Sequence, residues 1–172
     1  MLAGLLHSSL SWWGGSSDYP CPGSAAYVHA SARVQVQANA ACDEVQAEML
    51  SRVHSQPDKW HDPHNNGTYS TTSESLIADT LAFSRLTGDR KYTDKMIFSF
   101  ADGADGKCEM LACSESQVTS ILDFGTNYCN LRMLYCGSAD GCKPITHDFA
   151  SVEQKVSTSA GNPHDLKKCL TV

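Results

Sequence analysis

The chain reads as an α+β fold: an N-terminal helix packed across a curved antiparallel β-meander, a half-barrel stapled by disulfides. Three observations predict it. Apolar residues recur at helical spacing in one early stretch. They alternate with a period of two from about Gly67 onward. Eight cysteines are spread through 172 residues. Frequent turn signals with short connections favour antiparallel hairpins over βαβ crossovers. A closed β-barrel with an appended helix is the alternative architecture.

Two regions differ in composition. Residues 1–30 form an arm rich in Gly, Ser and Pro, and residues 31–172 form one α+β disulfide-rich domain. Met1–Leu6 has the apolarity of a signal-peptide core, but His7, Ser8 and Ser9 interrupt it and no basic residue precedes Arg33. Leu5, Leu6, Trp12 and Trp13 offer apolar side chains that could dock on a protein partner. A lightly packed terminus is the plainer reading. Cys21, between Pro20 and Pro22, is placed to tie the arm to the body.

The predicted helix covers about residues 31–55. Ser31 can serve as N-cap, and Val34, Ala38, Ala41, Val45, Met49 and Val53 recur at three- and four-residue intervals. Cys42 lies beside that stripe, and Pro57 is a fitting stop. The clearest predicted strand is Lys91 to Phe100, with Tyr92, Met96, Phe98 and Phe100 on one face. Thr80 to Leu86 precedes it across a Thr87–Arg90 turn, and the two read as a hairpin. Asp102–Gly106 is the next turn, followed by a strand from Cys108. Further strands are expected over residues 118–124 and 128–136, and residues 145–156 have no assigned type.

The disulfide candidates are Cys21, Cys42, Cys108, Cys113, Cys129, Cys136, Cys142 and Cys169. Strand parity puts Cys108 and Cys113 on opposite faces, and Cys129 and Cys136 likewise. Structural zinc wants repeated ligand pairs two to four residues apart, and no CxxC exists here. Disulfides are therefore the better reading, and they place the chain in the extracellular space or an oxidising lumen.

Composition narrows the function. A net charge of −6 with no basic cluster argues against nucleic acid. No run reaches the length of a membrane span. His61, Asp62 and His64 could ligate a transition metal, although they sit in a Pro-containing loop and need further ligands from elsewhere. Asn66-Gly67-Thr68 is an N-glycosylation triplet, and Asn66-Gly67 is equally a turn dipeptide. No Gly-x-Ser-x-Gly elbow surrounds Ser114 or Ser116, and no phosphate-cradling loop occurs. The expectation is a non-catalytic exported module without a cofactor. It binds a protein partner, as an accessory subunit of a larger assembly, or holds a small apolar ligand. A metal-assisted hydrolase or lyase using His61, Asp62 and His64 is the alternative.

Overall fold

Every second residue of Ser31–Ala38 is apolar and small or β-branched, and in the computed structural model this stretch is a strand, β1. The structure describes residues 21–72 and 79–171. After β1 come helix α1 (Cys42–His54) and strands β2 (Thr68–Thr71), β3 (Thr80–Leu86), β4 (Thr93–Asp102) and β5 (Cys108–Ser116). Helix α2 (Thr126–Tyr135), strand β6 (Ser151–Thr158) and the short helix α3 (Leu166–Cys169) complete the chain. The six strands form one open antiparallel sheet in the order β2-β3-β4-β5-β1-β6. The class is α+β, as expected, but the sheet has two ends and is not a closed barrel.

Three expected elements need correction. The helix over residues 31–55 begins only at Cys42, and Ser31 starts a strand instead of capping a helix. Val34 and Ala38 are four apart, a spacing compatible with both periods. Val36 decides the matter, since it is fully buried with them and only a period of two puts all three on one face. Hydrogen bonding to β5 on one side and β6 on the other then completes β1.

Residues 128–136 are helix α2 with Cys136 as its C-cap, not a strand. Every residue from Asn127 to Tyr135 is buried, so no polar face marks a helical period. The opposite sheet faces assigned to Cys129 and Cys136 therefore do not exist. Residues 118–124 form a loop in place of the expected strand, and Ile121, Leu122 and Phe124 stand exposed on it. The untyped residues 145–156 contain the start of β6, an edge strand.

One sheet face carries both main helices. Ala32, Val34 and Val36 of β1, Leu81 and Phe83 of β3, Met96 and Phe98 of β4, and Met110 and Ala112 of β5 point into that layer. They meet Val45 and Met49 of α1 and Leu131 and Leu134 of α2. Phe98 packs edge-on to Phe83 and stacked on Phe100, geometries worth about 0.5–1.5 kcal/mol beyond area burial. Glu48 of α1 ties in the approach to β6. Its carboxylate accepts the backbone N–H groups of Ile145, Thr146 and His147 and pairs with Arg52 at 2.7 Å.

The eight cysteines form four disulfides: Cys21–Cys113, Cys42–Cys108, Cys129–Cys169 and Cys136–Cys142. Cys108 points inward and joins β5 to the start of α1, whereas Cys113 points outward and holds the segment before β1. That segment is also bonded through Gly23 N–H to Glu115 at 2.8 Å and Ser24 Oγ to the Ser116 carbonyl at 2.7 Å. Four bridges with no free thiol fit a small stabilised module of an oxidising environment. Among the described residues no helix is long and apolar enough to cross a membrane.

Candidate functional site

Asp94 is the second residue of β4 and shares its inward face with Met96, Phe98 and Phe100, so a carboxylate occupies a position the pattern reserves for apolar side chains. Opposite it, α2 presents Asn127 and Asn130, spaced i, i+3 on one helical face, toward Ser114 and Ser116 of β5. These five side chains form one hydrogen-bonded chain with Asp94 and Ser116 at its ends. Asn130 Nδ2 donates to Asp94 Oδ2 at 2.8 Å and to Ser114 Oγ at 3.2 Å. Ser114 Oγ donates to Asn127 Oδ1 at 2.6 Å, and Asn127 Nδ2 donates to Ser116 Oγ at 2.9 Å. Ser116 also favours the ionised form of Asp94.

Asp123 joins this network to the start of α2. Its Oδ2 accepts both the backbone N–H of Asn127 at 2.8 Å and Asn127 Nδ2 at 2.7 Å, and its Oδ1 accepts Gly125 N–H at 3.0 Å. A carboxylate there meets the unsatisfied N–H groups of a helix N-terminus. The turn is tight. Phe124 has φ 55°, and Gly125, at φ 91°, approaches the Pro163 carbonyl so closely that a Cβ would overlap it. An aromatic residue held left-handed costs of order 1–2 kcal/mol, and here it leaves Phe124 78% exposed.

Asp94, Ser116 and Asp123 line a cavity of about 520 Å³. The β3–β4 turn supplies Thr87, Gly88, Asp89 and Tyr92, and the loop before α2 supplies Thr119, Ser120, Leu122 and Phe124. Three aspartates line the space, and among the described residues no Lys, Arg or His lines it. Burial pushes the Asp94 carboxyl above the usual carboxylate range, against the opposing pull of its bonds to Asn130 and Ser116 and the charge of Arg85. The Thr87 hydroxyl and the Lys91 N–H hold Asp89 below that range. Tyr92, Leu122 and Phe124, all exposed, give the cavity an apolar rim.

The expected metal triad is placed differently. His61 is exposed, whereas Asp62 is fully buried and committed to Arg85 of β3, whose guanidinium approaches to 2.6 Å. Asp62 Oδ1 also accepts the His64 N–H at 2.9 Å. Arg85 goes on to donate to the His64 carbonyl and to Asn65 Oδ1 at 2.9 Å, which draws the loop around its side chain. Gly67 packs there too, since a Cβ would overlap the guanidinium. Burial and the Arg85 charge push His64 down to about 4. Among the described residues, the one group of three potential donors within 4.8 Å is Cys21, Cys113 and Glu115, and both its sulfurs are in a disulfide. His61, Asp62 and His64 are not brought together as ligands.

Asn66 is exposed on that loop, and Asn65 beside it lines the cavity. Leu5, Leu6, Trp12 and Trp13 lie outside the described residues. Sequence reasoning missed Asp94, Asn127 and Asn130. A signal for Asp94 was present: it falls at the inward parity of a strand whose other inward residues are all apolar. The two asparagines carried none without the correct helix. The chain matches no family model, no curated protein and no solved structure.

Proposed function

We propose that this chain is an exported, non-catalytic module that holds a small organic cation with an apolar body in the cavity beside Asp94. The observation that carries the reading is three aspartates lining one cavity, with no basic side chain lining it among the described residues. Such a lining disfavours anions by like-charge repulsion and leaves an ammonium group as its natural complement. Tyr92 and Phe124 at the rim suit the apolar body and can present a ring face to the cation. The volume is that of a small-molecule site, with apolar walls and a few placed polar groups.

The hydrogen-bonded chain behind Asp94 favours recognition over chemistry. Asn130 and Asn127 already spend their amide donors within it and on Asp123, which fixes the carboxylate in advance of binding. A cation also supplies the countercharge that buried Asp94 lacks on its cavity side.

Calorimetric titration at pH 7.5 tests this with four probes of similar shape: phenethylamine, benzyltrimethylammonium, 3-phenylpropanol and 3-phenylpropionate. The two cations bind, the alcohol binds more weakly and the carboxylate does not. Asp94→Asn keeps the fold and weakens phenethylamine by roughly 10-fold or more, the size of one charge-assisted hydrogen bond, and weakens benzyltrimethylammonium through the lost charge alone. Equal binding of 3-phenylpropionate, or unchanged affinity in Asp94→Asn, overturns the reading.

A further inference from the structure

Asn66-Gly67-Thr68 is the sequence's one Asn-x-Ser/Thr triplet whose middle residue is not proline. In the fold, Asn66 and Thr68 are both exposed, whereas Gly67 between them is buried against Arg85. The loop is held from inside. Arg85 bonds the His64 carbonyl and Asn65 Oδ1, and Asp62 bonds the His64 N–H. Asn65 and Asn66 follow one another in the left-handed region, at φ 47° and 50°.

The two asparagines have different duties. The Asn65 side chain accepts from Arg85 and lines the cavity. Among the described residues, neither the Asn66 amide nor the Thr68 hydroxyl makes a side-chain hydrogen bond. The turn explains a left-handed Asn at this position, but it makes no demand for a hydroxyl two residues later. Thr68 opens β2, which among the described residues is the end strand of the sheet, and its side chain is exposed there. Four disulfides fit the oxidising environment in which asparagine-linked glycans are added.

We propose that Asn66 is an N-glycosylation site, its glycan rooted one residue from the wall of the acidic cavity. The donor is a lipid-pyrophosphate-linked oligosaccharide. Asn66 Nδ2 forms a bond to the anomeric carbon, the bond from that carbon to the pyrophosphate oxygen breaks, and the lipid pyrophosphate leaves with the electron pair. The displaced amide proton passes to a base of the transferase. The rigid loop then presents the sugar outward, because Arg85 and Gly67 hold the opposite side of the turn against the body.

The full chain, fused to a cleavable signal peptide, is expressed in insect cells and its intact mass measured before and after peptide N-glycosidase F. The wild type carries a glycan mass that the enzyme removes, converting Asn66 to Asp. Asn66→Gln and Thr68→Ala lack that mass, while Thr68→Ser retains it. Translation into microsomes reads the same modification without requiring secretion. An unmodified wild-type mass in both systems overturns the site, as does a glycan that persists in Thr68→Ala. Circular dichroism of the variants matches the wild type, since neither side chain supports the fold.

Discussion

Asp94 of β4 and Asn130 of α2 are bonded side chain to side chain at 2.8 Å, a buried contact that couples the cavity floor to the helix behind it. From Asn130 the bonds run on through Ser114 and Asn127 to Ser116, so the carboxylate is positioned by a network whose members, except Ser116, do not themselves line the cavity. A buried network of this kind is either fully satisfied or costly.

Asn127→Ala is expected to destabilise the protein by about 2 kcal/mol or more, because Ser114, Ser116 and Asp123 all lose a partner. It also weakens phenethylamine binding, although Asn127 is absent from the cavity wall. Urea denaturation gives the first quantity and calorimetric titration the second. Unchanged stability would show that the network is not cooperative.

Arg85 and Asp62 form an ion pair with both side chains fully buried. Arg85→Met strands the Asp62 carboxylate and costs about 3–5 kcal/mol. Adding Asp62→Asn removes the stranded charge, so the double variant recovers part of that loss. The midpoints of urea unfolding for wild type, both single variants and the double variant complete the cycle.

The four disulfides close loops of very different length. Cys42–Cys108 spans 66 residues and Cys136–Cys142 spans 6. On the chain-entropy account, replacing the first pair by alanines costs about 4 kcal/mol and the second about 2 kcal/mol. Denaturation of the two double variants is the check, and a larger loss at Cys136–Cys142 would count against an entropic origin.

His64 sets an acid sensitivity. Burial and Arg85 hold it down at about 4 in the folded state, below the ordinary value of 6.5, so the unfolded chain takes up the proton first. Its contribution is fully present above pH 6.5 and is lost as the pH falls toward 4. After allowance for partial solvent screening, the loss is on the order of 2 kcal/mol. The His64→Leu variant shows a shallower fall in stability than wild type between pH 7 and pH 4 in urea titrations. Parallel curves would remove His64 as the cause.

Part of this architecture was legible in the residues. Thr80 to Leu86 is a strand with the expected limits, the turn at Asp102–Gly106 follows β4, and Cys108 and Cys113 face opposite sides of β5. Strands with one buried face reveal themselves by alternation, which is clean in β4 and less so in β3. β1 was misread because Val34 and Ala38 satisfy both periods, and only burial by two neighbouring strands selects one. For α2, tertiary packing on every side erased the periodicity that would have identified it. The candidate site depended on that helix: with residues 128–136 as a strand, Asn130 has no route to Asp94.

By itself the sequence determined the α+β class, the hairpins around β4 and a chemistry dominated by cysteine and by acidic over basic residues. These follow from local alternation, turn residues and composition, which need no distant partner. Only the tertiary structure decided which cysteines meet, that Asp62 is committed to Arg85 and that Asp94, Asn130, Ser114, Asn127 and Ser116 form one hydrogen-bonded network. Each of those depends on residues far apart in the chain being brought within hydrogen-bond or covalent reach. Packing of α2 against β4 and β5 achieves this for the network.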